Sequence, residues 1–162
     1  MRRIIGSLVA SLAVMAMLVS GGLTPASAKE QQVPFKAHFS GDLSFTDATH
    51  IQLTGTGDAS HLGRSTSNTT IANVGPAACE GGFAVESEET LTAANGDQLR
   101  WTVDDEACPT ATPMVFRISG AYTVVGGTGR FAGATGQGTI DCLGDFVNGT
   151  FDFTVTGTIS RH

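Results

Sequence analysis

The chain has 162 residues, 41% of them hydrophobic and 15% charged, with 21 glycines and no block of like charges, which is the profile of one globular domain. Arg2 and Arg3, the apolar run from Ile4 to Val19 and the small-residue end Ala26-Ser27-Ala28 predict a cleavable signal peptide over residues 1–28 and a single domain over 29–162, secreted to the exterior or to a periplasm. Taking Arg2 and Arg3 from the nine basic residues leaves seven against fifteen acids, a formal charge of −8 after cleavage, which argues against nucleic acid and membrane surfaces as partners.

Beyond the predicted leader, apolar residues recur at every second position. Phe35, Ala37, Phe39, Gly41, Leu43 and Phe45 alternate with Lys36, His38, Ser40, Asp42 and Ser44, and only a strand places those two sets on opposite faces. The same period marks Ile51 to Gly55, Phe83 to Leu91, Leu99 to Val103, Met114 to Val124 and Phe151 to Ile159, with weaker strands at Ser65 to Ala72 and Gly136 to Cys142. Asn95-Gly96, between two such runs, predicts a type I′ hairpin turn. No segment keeps a helical period. Eight short-linked antiparallel strands form either two stacked sheets or an up-and-down barrel, and the glycines at 41, 55, 57, 120, 136, 138 and 157 favour the barrel, where they relieve crowding at bends. The expected fold class is therefore all-β, an eight-stranded antiparallel up-and-down barrel.

From Tyr122 onward, the residues around Gly126-Gly127-Thr128-Gly129-Arg130-Phe131 resemble a segment of the dirigent and allene oxide cyclase-like barrel superfamily, here in a bacterial secreted form. The resemblance implies an eight-stranded antiparallel barrel closed by a strand from Gly149 to Ser160. Plant members cyclise a fatty-acid epoxide or steer the coupling of phenoxy radicals, and bacterial relatives include cyclases of natural-product pathways. Their catalytic residues do not map onto this chain residue by residue. The glycine hexad also reads physically: Gly127 and Gly129 permit a tight connection, and Phe131 can tuck back to plug that end of the barrel. A phosphate-binding role fails because no Lys and no helix follow the glycines.

Three cysteines remain in an oxidising compartment, so one bridge and one leftover thiol are expected. Cys79 with Cys108 is the favoured pair, since both fall in long connections (73–82 and 104–113) at the same end of an up-and-down barrel. Cys142 is left in the core or the mouth; a bolder alternative pairs it with His50 as a nucleophile and base.

Glu89 shares parity with Phe83, Val85, Ser87 and Leu91 and so should point inward, where desolvation raises its pKa towards the range of a general acid or base. Ser67, Thr69, Ser87 and Tyr122 share that interior, and Phe39, Trp101, Phe116 and Phe153 supply an apolar wall, the composition of a small-ligand site. The competing structural reading pairs Glu89 with Arg64 or Arg130 at a barrel end. No metal or cofactor is expected: His38, His50, His61 and His162 do not converge, and Asp104-Asp105-Glu106 reads as a solvated turn. Asn68 and Asn148 match the glycosylation pattern but read as sheet and turn residues.

Three functions follow. The first is a barrel binding a small apolar molecule in its interior. The second is a cyclase or isomerase using Glu89 and Tyr122 for proton transfer. The third is a structural or interaction module whose interior is filled by Phe35, Phe39, Phe45, Trp101, Met114, Phe116, Tyr122, Phe151 and Phe153. An internal cavity smaller than a few waters would sink both the binding and the enzyme readings.

Overall fold

A computed structural model describes residues 31–161; the predicted signal peptide, Lys29, Glu30 and His162 lie outside the described residues. Eight strands follow one another: β1 (Gln31–Phe45), β2 (His50–Ala59), β3 (Gly63–Pro76), β4 (Phe83–Ala93), β5 (Gln98–Pro109), β6 (Val115–Gly127), β7 (Gly136–Asp145) and β8 (Thr150–Arg161). Each pairs antiparallel with the next, and β8 returns to β1 over the register Gln31↔Arg161 to Asp42↔Thr150, so the sheet is a closed up-and-down barrel without a free edge. A short 3-10 turn, Gly129–Phe131, interrupts the β6–β7 connection.

The period of two sets the interior. On β1, Phe35, Ala37, Phe39 and Leu43 are buried while Lys36, His38, Ser40 and Asp42 face out. Phe39 stacks on Phe153 with ring centroids 5.4 Å apart, and Trp101 packs at 5.5 Å from Tyr122 and 6.1 Å from Phe35. The connections following β1, β3, β5 and β7 lie at one end, with the disulfide between Cys79 and Cys108. At the other end Phe131, folded back from the glycine hexad, is 1% exposed beside buried Leu62 and Ala134, and closes the barrel there.

Several sequence-based expectations are corrected. β3 and β5 run well past Ala72 and Val103, so Asp104-Asp105-Glu106 is strand rather than turn. Its backbone pairs with Glu86, Val85 and Ala84 of β4, and that ladder overrides the poor strand propensity of the acids. The extension of β3 carries a bulge between Asn73 and Gly75. The β4–β5 hairpin is not type I′: Gly96 has φ of 87° but Asn95 does not have a positive φ, and Gly96 N donates to Ala93 O at 2.9 Å. A turn of ordinary hand followed by one left-handed glycine results. Phe45 and Met114, expected inside, are 62% and 55% exposed. Alternation places a side chain inside only where the wall continues above it; Phe45 ends β1, and Met114 precedes β6 with φ of 61°.

Candidate functional site

Glu89 sits in the middle of β4, opposite Thr69 on β3 and Trp101 on β5, with its side chain inside the wall and 2% exposed. Ser67 Oγ donates to Glu89 Oε1 at 2.6 Å, and Thr69 Oγ1 donates to Oε2. Burial pushes the Glu89 carboxyl up to about 7, against the smaller opposing effect of these two hydrogen bonds. Arg130, a sequence candidate for its partner, instead binds Asp97 at 2.7 Å, and no ion pair reaches Glu89 among the described residues. Arg64 stands opposite Asp58 on the β2–β3 ladder, at the rim and away from Glu89.

Beside Glu89 is a space of about 20 Å³ lined by Thr69, Ser87, Trp101, Cys142 and Phe153 together with aliphatic residues. A second space of about 20 Å³, wholly apolar in its lining side chains, lies towards the disulfide end beneath Phe83, Phe116 and Phe146. Leu53, Ile71, Ile118 and Cys142 line both, so the two are adjacent, a vestibule and an inner space parted by these four side chains. Each holds roughly one water by volume. Among the described residues the interior therefore holds no preformed cavity for a ligand or substrate, so the binding and enzyme readings fail for the barrel as it stands and uptake requires it to open.

Three phenylalanines close the vestibule. Phe83 and Phe116 lie 5.4 Å apart and Phe116 meets Phe146 edge-on at 5.4 Å; all three are partly buried, unlike the fully enclosed rings below. Phe45 continues the cluster outward, 5.3 Å from Phe146. The barrel thus has one closed end and one end stoppered by side chains that face solvent on one side.

The remaining candidates divide clearly. Ser87, Trp101 and Phe153 line the inner space and Phe116 the vestibule, while Phe39 stands behind Phe153 and Ser67 acts through its bond to Glu89. Tyr122 is buried but lines neither space; its hydroxyl lies over Gly157, so the proposed proton-transfer pair with Glu89 is not assembled. Trp101 Nε1 and Tyr122 OH are buried without hydrogen-bond partners. Burial pushes the Tyr122 hydroxyl to about 12.

Cys79 and Cys108 form the expected disulfide, with Cα atoms 5.9 Å apart, and Cys142 is a buried thiol. It does not form a dyad with His50. His50 Nδ1 is engaged by Asp47 at 2.9 Å on the rim, whereas Cys142 faces inward from the middle of β7, its thiol raised to about 12 by burial and secondarily by the charge of Glu89. Glu106 lies close to Cys79 and Cys108, but both sulfurs are used in the disulfide and Glu106 Oε1 accepts the Ala78 N–H at 2.8 Å, so the group is no metal site.

Sequence reasoning missed the position of Cys142 against Glu89. The signal was its parity with Ile140, which only becomes informative once β7 is known to lie across the barrel from β4.

Among solved structures, the barrel is similar to a pterocarpan synthase dirigent protein, with a TM-score of 0.51 at 12% identity over 82% of this chain and 92% of that one. The chain accordingly has a dirigent-like β-barrel fold; at this identity the likeness is one of fold. No protein-family model matches the chain, and no curated protein sequence matches it.

Proposed function

We propose that the chain is a secreted dirigent-like barrel that takes up a small apolar molecule through its disulfide end, parting Phe83, Phe116 and Phe146 to do so. The observation that supports this is the adjacency of the apolar vestibule and the space beside Glu89, which share Leu53, Ile71, Ile118 and Cys142 in their walls beneath a loosely stoppered end. Energetics supports it. An unsatisfied buried donor such as Trp101 Nε1 costs about 1–3 kcal/mol, and a carboxyl raised to about 7 destabilises the fold at neutral pH. A barrel that served only to be filled would hold Leu or Phe at these positions; departures from a satisfied core collect at functional sites. In this reading Trp101 and Phe153 contact the bound molecule, Phe39 backs them, Phe116 gates, and Ser67, Ser87 and Thr69 hold the polar side of the pocket. The disulfide fits an oxidising compartment.

A second reading, the filled barrel acting through its outer surface, is favoured by the small volume of both spaces. Native mass spectrometry of protein purified from its own host separates the two. A copurifying small molecule, lost in a variant with the inner space blocked by Ser87→Phe, supports uptake. Repeated absence of any bound species supports the filled barrel.

A further inference from the structure

Among the described residues Glu89 is the one fully buried carboxyl, and no basic side chain lines the spaces beside it. Neither the vestibule nor the inner space is lined by Lys, Arg or His, and the other titratable side chain lining the inner space is the Cys142 thiol, which supplies no positive charge. The two arginines that the sequence offers as partners are elsewhere, Arg130 held by Asp97 and Arg64 at the rim. Glu89 accepts one hydroxyl at each oxygen, from Ser67 and Thr69, and each carboxylate oxygen has room for a second donor. Inside a low-dielectric wall an ionised carboxylate without a cation is costly, and the group relieves that cost either by holding a proton or by meeting a cation.

Resting on the uptake reading above, we infer that the molecule admitted bears a basic nitrogen on an apolar body, its ammonium meeting Glu89 and its hydrocarbon lying between Phe83, Phe116 and Phe146 once these part. An apolar carboxylate is the wrong complement, since its charge would meet Glu89 with no cation between them. An alcohol falls between the two: it can donate to Glu89 but adds no charge. The selectivity thus comes as much from rejection of anions as from attraction of amines.

Octylamine, octan-1-ol and octanoate share a chain length and differ at the head, and Trp101, the sole tryptophan, lines the inner space and reports its occupation through fluorescence. At pH 8 octylamine should bind at least tenfold more tightly than octan-1-ol, with octanoate weakest. In Glu89→Gln the advantage of the amine should shrink to within about twofold, whereas a general attraction to the acidic surface would survive that substitution. Asp42→Asn, which removes an exposed carboxylate from the outer face of β1 and leaves Glu89 in place, should retain the order. Octanoate binding as tightly as octylamine, or an amine preference that survives Glu89→Gln, overturns the inference while leaving uptake standing. Failure of all three probes to perturb Trp101 overturns the uptake reading itself, and the inference with it.

Discussion

Ser67 Oγ lies 2.6 Å from Glu89 Oε1, a hydrogen bond between neighbouring strands inside the barrel wall, and with Thr69 it is what holds the buried carboxyl in place. A hydrogen bond to a charged acceptor contributes about 1.5–3 kcal/mol, and it favours the carboxylate over the acid. Ser67→Ala should therefore raise the pKa of Glu89 by about one unit, since one unit corresponds to about 1.4 kcal/mol. The shift is read by comparing the carboxyl titration of variant and parent; an unchanged or lowered value would show that the hydroxyl does not stabilise the charge.

The same burial makes folding depend on pH. The folded-state pKa of Glu89, about 7, lies above its ordinary value of 4.5, so between these limits the folded protein binds more protons than the unfolded one and stability falls as pH rises. The contribution is intact below pH 4.5, is lost through the folded value, and amounts to about 3 kcal/mol once the group is fully ionised. Glu89→Gln should fold, and should lack this component of the decline. Urea denaturation of both proteins at intervals from pH 4 to pH 9 checks it: parallel stability curves would show that Glu89 is not the group responsible.

Reduction of the disulfide should weaken the fold at the mouth. Cys79 and Cys108 are 29 residues apart, and closing a loop of that length restricts the unfolded chain by about 3–4 kcal/mol on the loop-entropy account. Thermal unfolding of a Cys79→Ser, Cys108→Ser double variant should show this loss, and an unchanged melting temperature would contradict it. Cys142 should resist alkylation in the native state and react on denaturation.

Much of this was legible in the sequence, and the limits have physical causes. Strict alternation on β1 and β4 gave the inward face and put Glu89 in it, because parity is a local property of a strand. Phe131 at the closed end and the Cys79–Cys108 pair followed from the order of connections. What failed depended on where the wall stops. The side chains of Phe45 and Met114 keep the inward parity but stand at the rim, and β5 is extended through three acids by its ladder to β4, which no local propensity encodes. Parity alone does not say how tightly the interior is filled; the number of large inward residues raised the filled barrel as a third reading, and the small volume beside Glu89 agrees with it.

Gly157 on β8 has its place because of the β7 backbone and Tyr122. A Cβ at position 157 would run into the Gln137 carbonyl oxygen and Gly138 Cα of β7 and would stand 2.5 Å from the Tyr122 hydroxyl. Gly157→Ala should accordingly destabilise the barrel by about 1–3 kcal/mol through overpacking. Truncating Tyr122 to Phe in the same chain should recover part of the loss. Chemical denaturation of the two variants measures both effects; a Gly157→Ala protein as stable as the parent would show that the wall yields there.

The most direct test is an NMR titration of the Glu89 side-chain carboxyl carbon in the folded protein. A midpoint near 7 is the result predicted for a desolvated carboxyl inside the barrel wall. A midpoint at or below the ordinary 4.5 would mean that Glu89 is solvated or paired with a cation, and would contradict the account of Glu89 as a fully buried acid without a cation beside it.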